Sequence, residues 1–106
     1  VITPAFTLPS KYIIHTVCPR YIYGTSEEEQ GLAMAYRSAL SFKDKAPDAS
    51  SIAFVSLGTG VYRWPLEVAA KIAVTELRKS EFDTTLMCVA DEMTRAKYNV
   101  ALRESL

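Results

Sequence analysis

Apolar residues in this chain fall into short unbroken runs and into longer stretches spaced three and four apart, and the two kinds take turns. Ile52, Ala53, Phe54 and Val55 form a run without alternation, the pattern of a strand covered on both faces. Leu66, Ala69, Ala70, Ala73 and Leu77 recur at helical spacing and predict a helix with one apolar face, ending near Lys79. Between them lies Ser56-Leu57-Gly58-Thr59-Gly60-Val61-Tyr62. Gly58 and Gly60 allow a tight turn and a close backbone approach. Pro65 suits the first helical position, where a missing N–H costs nothing.

The flanking chain repeats this order. Val1 to Pro4 reads as a short strand, and Pro4 and Pro9 bracket an irregular segment. Lys11 to Val17, rich in β-branched residues, predicts a buried strand. Ser26 followed by Glu29 fits a capping box at the start of a helix. Leu32, Tyr36, Ala39 and Leu40 supply that helix's buried stripe, and Pro47 marks its stop. Thr84 to Ala90 predicts a third apolar strand. Asp91 then caps a last helix, in which Met93, Ala96, Val100 and Leu102 face inward. Strand and helix alternate, which implies an α/β fold of three layers, with a mostly parallel sheet between helices.

Composition narrows the class. The chain has 106 residues, 49% of them hydrophobic and 23% charged. That suits a single globular domain over 1–106. Lys plus Arg equals Asp plus Glu, 12 against 12, which gives no support for DNA as a partner. No apolar run approaches the roughly 20 residues a membrane span needs. The two cysteines, Cys18 and Cys88, are far apart and there is one His. No metal site is expected, and the thiols read as reduced core groups of a cytoplasmic protein.

The candidate chemistry lies in the glycine loop. Exposed N–H groups ahead of a helix form a natural anion site, although many strand-to-helix turns use two glycines only to turn. The loop is not a Walker-type phosphate loop, because no Gly-Lys-Ser/Thr follows, and it lacks the third glycine of a dinucleotide fingerprint. His15 reads as a strand histidine held by a hydrogen bond rather than as a general base. Glu27, Glu28 and Glu29 read as the acidic start of a helix rather than as a metal site.

Val1-Ile2-Thr3-Pro4-Ala5-Phe6, with Leu8-Pro9-Ser10-Lys11-Tyr12-Ile13-Ile14-His15-Thr16-Val17, is similar to the strand pair of macro domains, the ADP-ribose-binding modules. Ser56 to Tyr62 with Pro65 and Ala69-Ala70 resembles their second phosphate loop, and Met87-Cys88-Val89-Ala90-Asp91-Glu92 resembles their last strand. The resemblance runs collinearly through essentially the whole chain. It implies that the N–H groups of Gly58, Thr59, Gly60 and Val61 hold the diphosphate of ADP-ribose, and that Tyr62 packs on the distal ribose. Ser56, Leu57, Ala90 and Asp91 complete the expected ligand-binding set.

Departures from the family pattern are visible. Cys18 and Arg63 stand where glycine is usual. Ala90 stands where an aromatic often stacks on adenine, a loss on the order of 1 kcal/mol or more. Nothing in the chain matches the family's N-terminal strands, its Asn-Ala-Ala-Asn stretch or the first loop that carries a catalytic Asp. The resemblance therefore implies a C-terminal portion of the domain, with the N-terminal strands absent. One of those strands would lie between the strand at Tyr12–Val17 and the strand at Ile52–Leu57.

The expected function is binding of ADP-ribose or ADP-ribosylated protein, with no cofactor. In an intact parent this extends to ADP-ribosyl or O-acetyl-ADP-ribose hydrolysis, but these residues alone are expected to be inactive. The alternatives are a non-catalytic ADP-ribose reader and a truncated structural fragment completed by another chain. The expected partners beyond the ligand are a complementing N-terminal segment or a second copy.

Overall fold

The computed structural model describes residues 2–5, 7, 9–60 and 62–105. The element order is β1 (Ile2–Pro4), β2 (Tyr12–Ile14), α1 (Ser26–Ser41), a 3₁₀ turn (Phe42–Lys45), β3 (Ser51–Val55), α2 (Leu66–Leu77), β4 (Thr84–Cys88) and α3 (Glu92–Glu104). The alternation expected from β2 onward is present. β1 and β2 pair antiparallel, with Ile2 opposite Ile14. β3 and β4 pair in parallel, with Ser51 opposite Thr84 and Val55 opposite Cys88.

The expected single, mostly parallel sheet is corrected here. Among the described residues there are two separate two-stranded sheets. β2 and β3 do not hydrogen-bond to each other, and a cleft of about 620 Å³ lies between them, lined on its two sides by Tyr12–Ile14 and Ser51–Val55. The expected three layers are not seen among the described residues either. Phe54 is buried and Ile52 and Met87 pack on the core, whereas Ala53, Val55, Leu86 and Cys88 are exposed. The unbroken apolar run of β3 is thus covered on one face only, because in an extended strand successive side chains point to opposite faces.

α2 packs against both α1 and α3. The core joins Leu32, Tyr36 and Ala39 of α1 with Ala69, Ala70, Ala73 and Val74 of α2, Tyr98 and Ala101 of α3, and Phe54 and Trp64. The three alanines of α2 let its neighbours approach closely. Tyr36 and Leu32 are fully buried, each worth about 2 kcal/mol of apolar burial. At the α1–α2 seam, the buried Glu76 carboxylate accepts two bonds from Arg37, at 3.0 and 3.3 Å.

Local expectations shift by a residue or more at several points. The capping box uses Thr25 and Glu28, not Ser26 and Glu29. Thr25 is extended, as an N-cap must be, while Ser26 is already helical. Pro65 is the N-cap of α2 rather than its first helical residue, with ψ 131°. β2 ends at Ile14, and Val17 is 89% exposed. In α3 the inward residues are Tyr98 and Ala101. Met93, Val100 and Leu102 are exposed, as is Ala96, because the helix turns its tyrosine rather than its aliphatic side chains to α2. His15 lies one residue beyond β2 rather than inside the strand, and its ring bonds Thr3 at 3.4 Å. Asp91 caps α3 as expected, accepting the Thr94 N–H at 2.8 Å. Among the described residues, no helix is long and apolar enough to cross a membrane.

Candidate functional site

The loop from Ser56 to Trp64 leaves the carboxyl end of β3 and leads into α2, the place where open α/β sheets take ligands. Gly58 has φ +81°, a conformation that side chains with a Cβ rarely adopt. Its carbonyl accepts the Trp64 N–H at 3.0 Å, and the Gly60 carbonyl accepts the Arg63 N–H at 3.2 Å. These bonds fold the loop back on itself. Among the described residues, the N–H groups of Gly58, Thr59 and Gly60 donate to no protein acceptor. An added Cβ at Gly60 meets nothing within 4 Å, so that rim is open. Val61 lies outside the described residues.

The 18–21 segment holds the far side of the loop. The Trp64 indole Nε1 donates to the Pro19 carbonyl at 2.8 Å, and the Tyr21 N–H donates to the Tyr62 carbonyl at 3.0 Å. The Tyr21 ring packs on Trp64 with centroids 5.1 Å apart. Arg20 places its guanidinium 5.6 Å from the centre of the Tyr62 ring, within cation–π range. Tyr62 is half-buried. Cys18 packs at the edge of the core, and burial raises its thiol pKa.

The near side is tied to α1 and α3. The Leu57 N–H donates to Tyr36 Oη at 2.9 Å, and Ser56 Oγ lies 2.7 Å from Tyr98 Oη. Thr59 Oγ1 donates to Ser56 Oγ at 3.1 Å. Every expected member of the site from Ser56 to Gly60 is therefore in one loop with defined partners. Ala90 is exposed, two residues beyond Cys88. The register pairs Cys88 with Val55, so Ala90 leaves β4 at the same end of the sheet as the loop. Asp91 is beside it, but its carboxylate is taken up by the cap of α3, and the Thr94 N–H lowers its pKa.

The local field favours an anion. No acidic side chain lies between Ser56 and Pro65, and Arg63 sits within that span. No side chain caps the N-terminus of α2, whose end carries partial positive charge. Glu67, in the first turn of α2, opposes this. Its carboxylate is engaged by Lys97 at 2.6 Å, and that bond lowers its pKa. Among the described residues there is no group of three or more His, Cys, Asp or Glu able to hold a metal.

Sequence reasoning placed the Pro19–Tyr23 loop at the ligand end of the strands but did not place Trp64 or Tyr98 at the site. Trp64 is the chain's one tryptophan, five residues from Thr59, which was a usable signal. The role of Tyr98 depended on α3 folding back, which no local pattern states.

The macro domain family model matches residues 1–73, and the chain belongs to that family. It is 41% identical to a macro domain-containing protein of Ralstonia nicotianae, over 98% of this chain and 61% of that protein. It is 41% identical to an O-acetyl-ADP-ribose deacetylase of Klebsiella pneumoniae, over 92% of this chain and 58% of that protein. The fold superposes on the Oceanobacillus iheyensis macrodomain solved with ADP, with TM-score 0.88 and 34% identity, over 99% of this chain and 57% of that one. A mutant of that macrodomain has been solved with ADPR. The chain thus spans about three fifths of the length of the curated relatives it matches.

Proposed function

We propose that this chain binds ADP-ribose or an ADP-ribosyl group, with the diphosphate seated on the glycine loop. One observation carries the reading: among the described residues, the successive N–H groups of Gly58, Thr59 and Gly60 have no protein acceptor, and they stand ahead of an uncapped helix. Backbone donors in such a loop stabilise a diphosphate without a counter-charge buried beneath it. Tyr62, held by Arg20 and by the Tyr21 N–H, takes the distal ribose. Ala90 and Asp91 border the adenine side. Two free thiols, Cys18 and Cys88, fit a cytoplasmic setting.

In a longer parent protein the same loop would serve hydrolysis of O-acetyl-ADP-ribose, a reading favoured by the Klebsiella deacetylase relative. We assign no catalytic residue within this chain. Calorimetric titration with ADP-ribose tests the binding. The chain binds, and Gly60→Glu abolishes binding, because it puts a side chain and a negative charge at the open rim. Equal affinity in the two proteins removes the assignment. Turnover of O-acetyl-ADP-ribose by these residues alone would overturn the absence of a catalytic group.

A further inference from the structure

The glycine loop rests on two buried phenols that come from different helices. Tyr36 of α1 has no solvent exposure and Tyr98 of α3 has 5%. A phenol at the centre of a core is costly unless its hydroxyl is satisfied. Here both hydroxyls point to the residues just before Gly58. A backbone N–H can only donate, so Tyr36 Oη is the acceptor of the Leu57 N–H at 2.9 Å. Tyr98 Oη shares a hydrogen bond with Ser56 Oγ, 2.7 Å away, in which either hydroxyl can donate. Ser56 Oγ also accepts from Thr59 at 3.1 Å, and the Ser56 carbonyl receives the same hydroxyl at 3.3 Å. Two consecutive residues, Ser56 and Leu57, are thus each held by a phenol from a different helix.

We propose that Tyr36 and Tyr98 are positioning residues, two buried hydroxyl anchors that fix the peptide plane between Ser56 and Leu57 and so aim the N–H groups of Gly58, Thr59 and Gly60 at the ligand. The inference rests on the binding reading given above. A glycine-rich segment is loose by composition, since glycine loses the most backbone freedom on ordering. Two fixed points immediately before Gly58 reduce the ordering left for the ligand to impose, and that raises affinity by preorganisation. Burial raises both phenol pKa values, so both stay neutral and keep their hydroxyl proton across the working pH range. Tyr36 Oη is bonded to Leu57 and Tyr98 Oη to Ser56, and neither tyrosine lies on the open rim.

The test is Tyr36→Phe and Tyr98→Phe, which keep ring and volume and remove one hydroxyl each. Two readouts are used. Without ligand, amide hydrogen exchange at Leu57 speeds up in Tyr36→Phe, while the amides of Thr85 to Met87 in β4 are unchanged. With ligand, ADP-ribose affinity falls about tenfold in Tyr36→Phe and falls in Tyr98→Phe as well. Arg37→Ala is the control, a destabilising change at the α1–α2 seam that leaves affinity unchanged. Unchanged Leu57 exchange together with unchanged affinity overturns the proposal. If Tyr36→Phe does not fold, Tyr98→Phe with Ser56→Ala reads the second anchor. If the unaltered chain shows no ADP-ribose binding, the functional reading fails, and the exchange experiment still decides whether the phenols hold the loop.

Discussion

The indole of Trp64 lies so close to Gly58 that a Cβ on Gly58 would clash with Trp64 Cδ1. The glycine is required twice at this point, by its φ of +81° and by the aromatic wall beside it. Gly58→Ala costs about 1–2 kcal/mol for the left-handed backbone alone, and relief of the clash has to move Trp64 off the Pro19 carbonyl. Thermal unfolding falls by several degrees and ADP-ribose binding is lost. A variant that unfolds and binds like the parent would show that the loop is not braced by the indole.

Arg63 has φ +64°, in the region that costs a side chain about 1–2 kcal/mol. Arg63→Gly relieves that strain and gives part of it back in unfolded-chain entropy. The variant is more stable by about 0.5 kcal/mol, seen as a small rise in midpoint on chemical denaturation. The same change removes a cation near the loop, so ADP-ribose binding becomes less sensitive to salt. A fall in midpoint would mean that the arginine makes contacts that outweigh its backbone strain.

Glu28 is the second member of the α1 capping box and also an internal anion. Burial pushes its pKa up, but N–H bonds from Ile22, Thr25, Tyr23 and Gly24 outweigh that and hold it below its ordinary value of 4.5. A carboxylate depressed on folding contributes stability that is fully present above the unfolded pKa and is lost as pH falls through the folded one. The midpoint difference between the parent and Glu28→Gln is therefore constant from pH 7 down to about 5 and shrinks below about 4.5. A difference that grows on acidification would reverse the assignment.

β2 and β3 each pair on one side only, and their free edges face the same cleft. Beside that cleft Val55 is 65% exposed, and Leu86 on the same outer face is 51% exposed. Unpaired edges flanked by apolar side chains recruit further strands. The 106-residue chain is expected to self-associate, with a light-scattering mass that rises with concentration, and Val55→Lys lowers that mass. A concentration-independent monomer would show that the edges are protected.

What the sequence determined by itself was local. The alternation of strand and helix, the turn imposed by Gly58, the Asp91 cap and the buried stripe at Leu32, Tyr36 and Ala39 all follow from backbone preferences and spacing within a few residues. Those signals need no knowledge of distant partners. The tertiary structure decided which face of each element met another. The apolar run of β3 reads as buried on both sides, yet Val55 is exposed because helices cover one face of the sheet only. The spacing in α3 offered Met93, Val100 and Leu102, but Tyr98 turned inward because its hydroxyl found Ser56. The α1 tyrosine was legible as core, while its hydroxyl's task beneath Leu57 was not. A hydrogen bond between residues 21 apart leaves no periodic trace. It exists only once α1 and the end of β3 have been brought together.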